Sequence, residues 1–232
     1  QPEKIREYLE QHPECKRAVA AFSGDVGFYS GTRKLLEELE EEKYNVDLIC
    51  GISSVQYVAA KLRMPWQDMK LLSLHGRRQN LIGTLRTHEK VFVLAGKAES
   101  IRELAGMLLE YGMEQVQLYV GSRLSYPEEE FSAGRPKEFL DFQKEGLSVA
   151  VVVNPRAAQT AVTHGLPDLC FRRGSAPMTK EEIRSISLSK LALTRNAQVF
   201  DIGAGTGSIG IECALQAAEG RVWAIEKKAE AV

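Results

Sequence analysis

A glycine-rich turn near the end of the chain limits the possible folds more than any other feature. Residues 201–214 read DIGAGTGSIGIECA, the pattern of a strand end, a turn and the start of a helix. Because Gly203, Gly205 and Gly207 carry no β-carbon, a ligand can lie against bare backbone at this turn. A second apolar strand at residues 221–225 completes a predicted strand-helix-strand unit with a parallel sheet.

Acidic residues follow both predicted strands of this unit. Glu226 comes about 20 positions after the turn, where a carboxylate can accept hydrogen bonds from both ribose hydroxyls of a nucleoside. The dinucleotide fingerprint G-x-G-x-x-G is broken by Ser208. Asp201 at the strand end would repel a pyrophosphate and suits a ligand that carries an ammonium and a sulfonium. The pattern resembles that of Rossmann-like methyltransferases that bind S-adenosylmethionine (SAM). The alternatives are a glycine-rich turn without a ligand and a site for a different nucleotide.

Composition excludes several classes of protein. The 30 Lys and Arg residues balance 31 Asp and Glu residues, which argues against a nucleic-acid binder and against recruitment to an anionic membrane. No apolar run approaches the roughly 20 residues that span a bilayer. The scattered histidines and cysteines predict no metal site. Cys50 and Cys213 are expected to be reduced core thiols, so we expect a cytoplasmic protein.

Strands and helices alternate along most of the chain, which predicts an α/β architecture. The expected strands in the first half are residues 18–22, 46–50, 69–74, 90–94, 116–120 and 147–153. The expected helices there are residues 29–42, 53–62 and 99–111. Residues 127–130, PEEE, are interpreted as a turn and a helix start, because acidic residues are favoured near a helix N-terminus.

The regular pattern lapses between residues 154 and 177, where proline and glycine are frequent. We therefore predict two domains, 1–172 and 173–232. A helix is expected to begin after Thr179 as N-cap, with Glu182 completing a capping box, and to run to about residue 193. The second domain has about half of the roughly 100 residues of a usual open-sheet domain. We expect it to be the N-terminal part of a longer domain.

Four segments of the first half resemble the tetrapyrrole (corrin) methylases. They are SGDVGFYSG (23–31), GISSVQYVAAKL (51–62), SLHGR (73–77) and VGSRLSYPEEEF (120–131). The last two are similar to the branch that methylates precorrins late in cobalamin synthesis. PMTKEEIR, LSKLAL and DIGAGTGSIGIE resemble the C-terminal half of the fused, bifunctional enzymes of that branch. The resemblance covers nearly the whole chain, although the family's N-terminal strand, its first glycine-rich loop and the final half of the second domain have no counterpart. Val26 stands where the family has proline.

The resemblance implies a tetrapyrrole-methylase-like, two-lobed α/β domain followed by the start of a Rossmann-like SAM methyltransferase domain. It implies one SAM molecule in each domain, with S-adenosyl-L-homocysteine as the product. The residues expected to bind SAM are Ser23, Gly24, Asp25, Ser53 and Ser54 in the first domain, and Asp201, Gly203, Gly205, Gly207 and Glu226 in the second. For Asp25 the alternative is a turn-forming residue that hydrogen-bonds its own backbone.

The implied reaction is methylation of a precorrin, or a cobalt-precorrin, at carbons 5 and 15 with decarboxylation of an acetate side chain. Arg77, Arg78 and Arg123 could pair with carboxylates of the macrocycle, and His75 could donate a hydrogen bond. The alternatives are solvated surface cations and a structural histidine. Transfer of a methyl group from a sulfonium needs alignment more than acid–base help, so no catalytic residue is assigned.

Two further functions stay open at this point. One is a SAM- or tetrapyrrole-binding module without turnover, and the other is a SAM methyltransferase for another small molecule. The SLHGR and LSYPEEEF segments argue against the latter. A homo-oligomer is the expected assembly.

Overall fold

A computed structural model describes residues 2–39, 43–74, 80–157, 164–174 and 176–228. These residues form a five-stranded sheet in the first half and a two-stranded sheet in the second, which confirms the α/β architecture. The helices are α1 (Pro2–Gln11), α2 (Thr32–Glu38), α3 (Ser54–Leu62), α4 (Leu81–Thr87), α5 (Ala98–Glu110), α6 (Glu181–Leu191) and α7 (Ser208–Gln216). The strands are β1 (Lys70–Ser73), β2 (Lys90–Gly96), β3 (Gln117–Ser122), β4 (Glu130–Gly134), β5 (Ser148–Val153), β6 (Gln198–Ile202) and β7 (Arg221–Ile225).

The large sheet has the strand order β1-β2-β5-β3-β4. β1 and β2 are parallel, whereas β5 is antiparallel to both of its neighbours, β2 and β3. The carboxyl ends of β1, β2 and β3 therefore lie along one edge of the sheet, together with the first residue of β5. Loops that leave this edge can contribute side chains to a common site.

Helices cover both faces of the large sheet because its central strands are apolar throughout. Val91 and Val93 of β2 belong to the core cluster that includes Leu104 and Leu108 of α5. Phe92 points to the opposite face, in a second cluster with residues of α3. This alternation follows from the two-residue repeat of a strand. The sheet thereby positions α3, whose first residues carry part of the predicted cofactor site.

Two predicted strands, residues 18–22 and 46–50, are not strands in the structure. Val19 is 96% exposed and Ile49 is 84% exposed, and neither segment pairs with another strand. An apolar segment forms a strand only where a neighbour satisfies its backbone groups and its side chains are covered. The described chain offers neither to these segments. For the same reason Cys50 is exposed rather than part of the core, whereas Cys213 is buried as predicted.

The predicted helix start at residues 127–130 is also wrong. The amide of Glu129 donates to the carbonyl of Tyr126 in a turn, and β4 begins at Glu130. β4 pairs antiparallel with β3 from Ser122↔Glu130 to Leu118↔Gly134. The tertiary ladder therefore overrides the local preference of an acidic run for a helix N-terminus. Helices α1 and α4 have no counterpart among the sequence-based predictions.

The helix at the start of the second half begins one residue later than predicted. Lys180 is the N-cap of α6 and makes no side-chain capping hydrogen bond, so the capping box with Thr179 and Glu182 is wrong. The carbonyl of Thr179 instead accepts a hydrogen bond from the Arg184 guanidinium at 2.5 Å. The helix ends at Leu191, followed by Ala192 in the left-handed region.

A buried arginine fastens residues 164–171 to the second half. Arg184 of α6 is fully buried. Its Nε atom lies 2.9 Å from Oε1 of Glu212 in α7, and its Nη1 atom lies 2.7 Å from Oδ1 of Asp168. It also donates to the carbonyl of Leu166 at 2.6 Å and stacks 4.5 Å from the ring centroid of Phe171. The segment that contains Asp168 thus packs with α6 and α7.

Within the described ranges, no helix is long and apolar enough to cross a membrane. The same ranges contain no cluster of three or more His, Cys, Asp or Glu side chains that could hold a metal ion.

Candidate functional site

The glycine-rich turn joins β6 to α7 and requires glycine at three positions. Gly203, Gly205 and Gly207 have φ angles of +79°, +55° and +71°, which lie in the left-handed region that residues with a β-carbon rarely adopt. The amides of Gly203 and Ala204 both donate to the carbonyl of Ile225 at the end of β7. A β-carbon added at Gly203 or Gly207 would meet no atom within 4 Å. The turn therefore presents bare backbone to open space, as a bound nucleoside requires.

Glu226 lies beside this turn because β6 and β7 are parallel and in register at Ile202↔Ile225. Its Oε1 atom accepts from the amide of Lys228 at 2.9 Å, and its Oε2 atom accepts from the amide of Gly205 at 2.9 Å. Hydrogen bonds from these two amides, that of Lys228 first, lower the pKa of Glu226 below its ordinary value. A carboxylate has about four acceptor positions, so acceptor capacity remains for a ribose hydroxyl. The residue fits the predicted role and also holds the turn.

Asp201 is turned towards the first turn of α7. Its Oδ2 atom accepts from the amide of Gly210 at 3.0 Å, an interaction that a helix N-terminus favours. A β-carbon at Gly210 would lie 2.9 Å from Oδ2 of Asp201, so this glycine makes room for the carboxylate. The sequence analysis did not single out Gly210. Contact between Asp201 and a cationic ligand stays a prediction.

The two loops predicted to bind SAM in the first half lie against each other. A β-carbon added at Gly51 would lie 2.3 Å from the carbonyl oxygen of Gly24, and one added at Gly24 would lie 3.7 Å from that of Ile52. Gly24 itself has a φ angle of +76°. The loop that carries Ser23, Gly24 and Asp25 therefore adjoins the one that leads to Ser53 and Ser54. Gly51 permits this approach and was not predicted as a site residue.

The side chains of these loops are engaged locally. Oδ1 of Asp25 accepts from the amide of Gly27 at 2.8 Å, which is the turn-forming contact considered as the alternative for this residue. Ser53 is buried and caps α3, because its hydroxyl accepts from the amide of Gln56 while the Gln56 side chain accepts from the Ser53 amide. The Asp25 carboxylate and the Ser53 hydroxyl therefore already have hydrogen-bond partners within their own loops. The roles of these residues in binding SAM stay predictions.

Arg123 follows β3 at the carboxyl edge of the large sheet. Its Nη2 atom pairs with Oε2 of Glu145 at 2.8 Å, and Glu145 is 84% exposed. Gly146 gives the arginine room, since a β-carbon there would lie 2.7 Å from Cγ of Arg123. Exposed ion pairs contribute about 0–1 kcal/mol, so a carboxylate of a substrate could replace Glu145. Gly146 and Glu145 also line an open cavity of about 550 Å³ beside Lys97 and Lys144.

His75, Arg77 and Arg78 lie outside the described residues. The strand that precedes them in the chain, β1, ends at Ser73 on the same edge as β3. Their predicted contacts with a substrate stay predictions.

Comparison with known proteins matches the two halves of the chain to two families. Residues 1–140 match the tetrapyrrole (corrin/porphyrin) methylases, and residues 169–232 match a precorrin methyltransferase domain. The chain belongs to the tetrapyrrole (corrin/porphyrin) methylases.

Some curated relatives align with one half of the chain, and one aligns with parts of both halves. A probable cobalt-precorrin-7 C(5)-methyltransferase of Methanocaldococcus jannaschii is 29% identical over 64% of this chain and 71% of its own length. A probable cobalt-precorrin-6B C(15)-methyltransferase (decarboxylating) of Pyrobaculum calidifontis is 49% identical over 30% of this chain and 37% of its own length. A precorrin-6Y C(5,15)-methyltransferase [decarboxylating] of a Sinorhizobium species is 30% identical over 85% of this chain. The chain spans 48% of the length of that relative.

A solved structure supports the fold of the first half. The structure of a cobalt precorrin-4 methyltransferase covers 66% of this chain and is itself covered to 71%, with a TM-score of 0.55 and 16% sequence identity. At this identity the likeness concerns the fold alone. It confirms the tetrapyrrole-methylase-like architecture that the sequence motifs predicted.

Proposed function

We propose that this chain contributes to two SAM-dependent methylations of a precorrin or cobalt-precorrin, one in each half. The first half would act at carbon 5 and the second at carbon 15, with decarboxylation of an acetate side chain. The observation that carries the proposal is the turn after β6. Three glycines with positive φ angles expose backbone there, and Glu226 is hydrogen-bonded to the middle one. This turn lies within the segment that matches a precorrin methyltransferase domain.

The division of labour between the halves rests on the relatives. The relative from Methanocaldococcus jannaschii, which aligns with 64% of the chain, has a C(5) activity in its name. The relative from Pyrobaculum calidifontis, which aligns with 30% of the chain, has a C(15) activity in its name. The relative with both activities in its name aligns with 85% of the chain. A chain with one unit of each kind fits a bifunctional enzyme that acts on precorrin-6Y.

The residues present suit SAM better than a pyrophosphate cofactor. When bound, SAM supplies an activated methyl group whose departure leaves a neutral thioether, S-adenosyl-L-homocysteine. Glu226 would hold the ribose, and the Gly203–Gly207 backbone would allow close approach of the nucleoside. Asp201 would lie on the side of the ligand's cationic groups. In the first half the adjoining loops at Gly24 and Gly51 would hold the second SAM through backbone groups, which align donor and acceptor carbon and exclude water.

We also propose that the second unit begins no later than residue 164, earlier than the predicted boundary at residue 172. Support comes from the contacts of Arg184 with Leu166 and Asp168. Because these contacts bury a charge, the segment 164–171 is expected to fold with the second unit.

We further propose that the protein is a homo-oligomer in the cytoplasm. The described residues include three free, exposed cysteines, which suits a reducing compartment, and sedimentation would reveal the assembly.

The proposal is tested by incubating the protein, expressed from its complete gene, with SAM and precorrin-6Y and counting methyl groups by mass spectrometry. We expect two added methyl groups and loss of one carbon dioxide. At a SAM concentration near the wild-type Kd of the second unit, the Glu226→Ala variant should add mainly one methyl group with little decarboxylation. Glu219→Ala, a change at an exposed residue away from the turn, should behave like the wild type. A wild-type protein that binds SAM but transfers no methyl group to any precorrin would refute the proposal.

A further inference from the structure

The loop between β3 and β4 is held in an unusual conformation. Arg123 and Ser125 have φ angles of +50° and +67°, although neither is glycine. Backbone in this region is costly for residues with a β-carbon and persists only where surrounding contacts impose it. The loop belongs to the VGSRLSYPEEEF segment, and it carries Arg123 at the edge of the sheet. The contacts that impose this backbone conformation therefore also determine where Arg123 lies.

Glu129 makes that contact. Its Oε2 atom accepts from the amide of Ser125 at 2.8 Å, inside the strained stretch. Its Oε1 atom lies 2.6 Å from Nζ of Lys61 in α3. The ammonium of Lys61 also lies 5.3 Å from the ring centroid of Tyr57 and 5.8 Å from that of Phe131. One carboxylate thus holds the loop in its conformation and fastens it to a helix packed on the sheet.

Further hydrogen bonds also hold the backbone of the loop in place. The amide of Arg123 donates to the carbonyl of Leu147, and the amide of Tyr126 donates to the carbonyl of Arg123. The first fixes the start of the loop to the residue that precedes β5, and the second closes the turn around Ser125. Among the described residues, the contacts of the Arg123 side chain are an ion pair with the exposed Glu145 and packing on Gly146. The backbone is therefore held firmly, while the guanidinium can exchange its partner.

We propose that Glu129 is a positioning residue that sets Arg123 for a carboxylate of the tetrapyrrole substrate by holding the 123–129 loop against α3. The inference rests on the proposed function, because it assigns Arg123 to substrate binding. Glu129 itself would touch neither substrate nor cofactor.

The test is a double-mutant cycle in the protein expressed from its complete gene. Glu129→Gln should raise KM for the precorrin about tenfold, the size expected when one hydrogen bond to a charged group is weakened, and leave kcat and the Kd of SAM within about twofold. In an Arg123→Gln background the same change should raise KM less than about twofold, since the two residues act on one contact. Glu128→Gln, a change at the exposed neighbour, is the matched control. An equal rise in KM in both backgrounds would overturn the inference.

A second measurement separates this inference from the proposed function. Hydrogen exchange at the Ser125 amide should accelerate in Glu129→Gln but not in Glu128→Gln, with no substrate present. Lys61→Met should have the same effect if Glu129 is anchored through α3, and it replaces Glu129→Gln if that variant fails to fold. Unchanged exchange in the Glu129 and Lys61 variants overturns the inference even if the enzyme methylates precorrins. A wild type without turnover refutes the proposed function, whatever the exchange shows.

Discussion

At the scale of single residues, Glu226 has an observed contact and a proposed one. Its carboxylate closes the glycine turn through the amides of Gly205 and Lys228, and we propose that it also accepts hydrogen bonds from a ribose. Spacing along the sequence predicted only the proposed contact. The observed one depends on β7 placing the carboxylate beside the turn, which no sequence pattern states.

Replacing Glu226 with alanine should weaken SAM binding to the second unit by about 1–3 kcal/mol, the cost of stranding hydrogen-bonding groups. Calorimetric titration should therefore show a Kd about 5- to 150-fold higher. Glu219→Ala is the control, because its exposed pair with Arg195 lies away from the turn. Unchanged affinity in the Glu226 variant would remove this residue from the site.

Glu129 should give the protein a distinctive response to acid. Hydrogen bonds from Lys61, Tyr57 and the Ser125 amide lower the pKa of Glu129 from its ordinary value of 4.5 to about 2. A lowered pKa means that the folded state favours the charged form. Its stabilising effect is complete above pH 4.5 and is lost as the pH falls towards 2.

The measurement is the free energy of unfolding from pH 6 to pH 3 for the wild type and for Glu129→Gln. The difference between the two proteins should be constant above about pH 5 and shrink below it. Glu128→Gln should track the wild type throughout. A difference that grows on acidification would contradict the assignment.

At the scale of secondary-structure elements, α6 and α7 are joined by a buried ion pair rather than by an apolar seam alone. Burial by itself would raise the pKa of Glu212, but hydrogen bonds from Arg184 and from the amides of Gly165 and Leu166 lower it overall. A buried pair of this kind is costly to break because its partner is left as an isolated charge.

Arg184→Met should lower the stability of the second unit by about 3–5 kcal/mol, while Arg195→Met, at an exposed pair with Glu219, should cost about 0–1 kcal/mol. Denaturant unfolding can follow this unit through Trp223 of β7 in a Trp66→Phe background. The double variant Arg184→Met/Glu212→Met should lose less stability than Arg184→Met alone, because no charge is stranded. A double variant that is less stable than Arg184→Met would contradict the explanation that the single variant is destabilised by a stranded charge on Glu212.

At the scale of the whole molecule, the position of the boundary decides which halves can stand alone. A cut near Ser175 separates Asp168 and the carbonyl of Leu166 from Arg184. A cut between residues 157 and 164 keeps these contacts in the second unit.

Two versions of the second half, starting at residue 164 and at residue 176 and continuing to the end of the gene product, should therefore differ. The longer version should unfold at higher denaturant concentration and bind SAM, whereas the shorter one should be destabilised by the unsatisfied Arg184. When both versions also carry Arg184→Met, their stabilities to denaturant should differ much less. Equal stability of both versions with Arg184 intact would return the boundary to residue 172.

Local patterns in the sequence were sufficient for the elements that are apolar and paired. The strands around Val93, Val120 and Val151 and helices α3, α5 and α7 could be predicted because burial imposes their periodicity. The glycine turn could be predicted because its backbone angles require residues without a β-carbon. Gly24 and Gly51 approach each other although they are far apart in sequence. Each of their loops carries a family motif, so each loop could be predicted as part of a site.

What the sequence alone determined is therefore the α/β class and the glycine turn, since these depend on local periodicity and on backbone angles, and the family, which the resemblance of its motifs indicated. Only the tertiary structure decided that residues 18–22 stay unpaired, that β4 replaces a helix start, and that Asp25 and Ser53 turn inward to their own loops. It also decided that Glu129 holds the loop of Arg123 and that Arg184 gathers residues 164–171. The buried charge pairs of Arg184 and the ion pair of Glu129 with Lys61 join residues distant in sequence, and no local pattern records which partner a charge will find. The contacts of Asp25, Ser53 and the Ser125 amide are local, but which of several possible local contacts forms depends on how the surrounding chain packs.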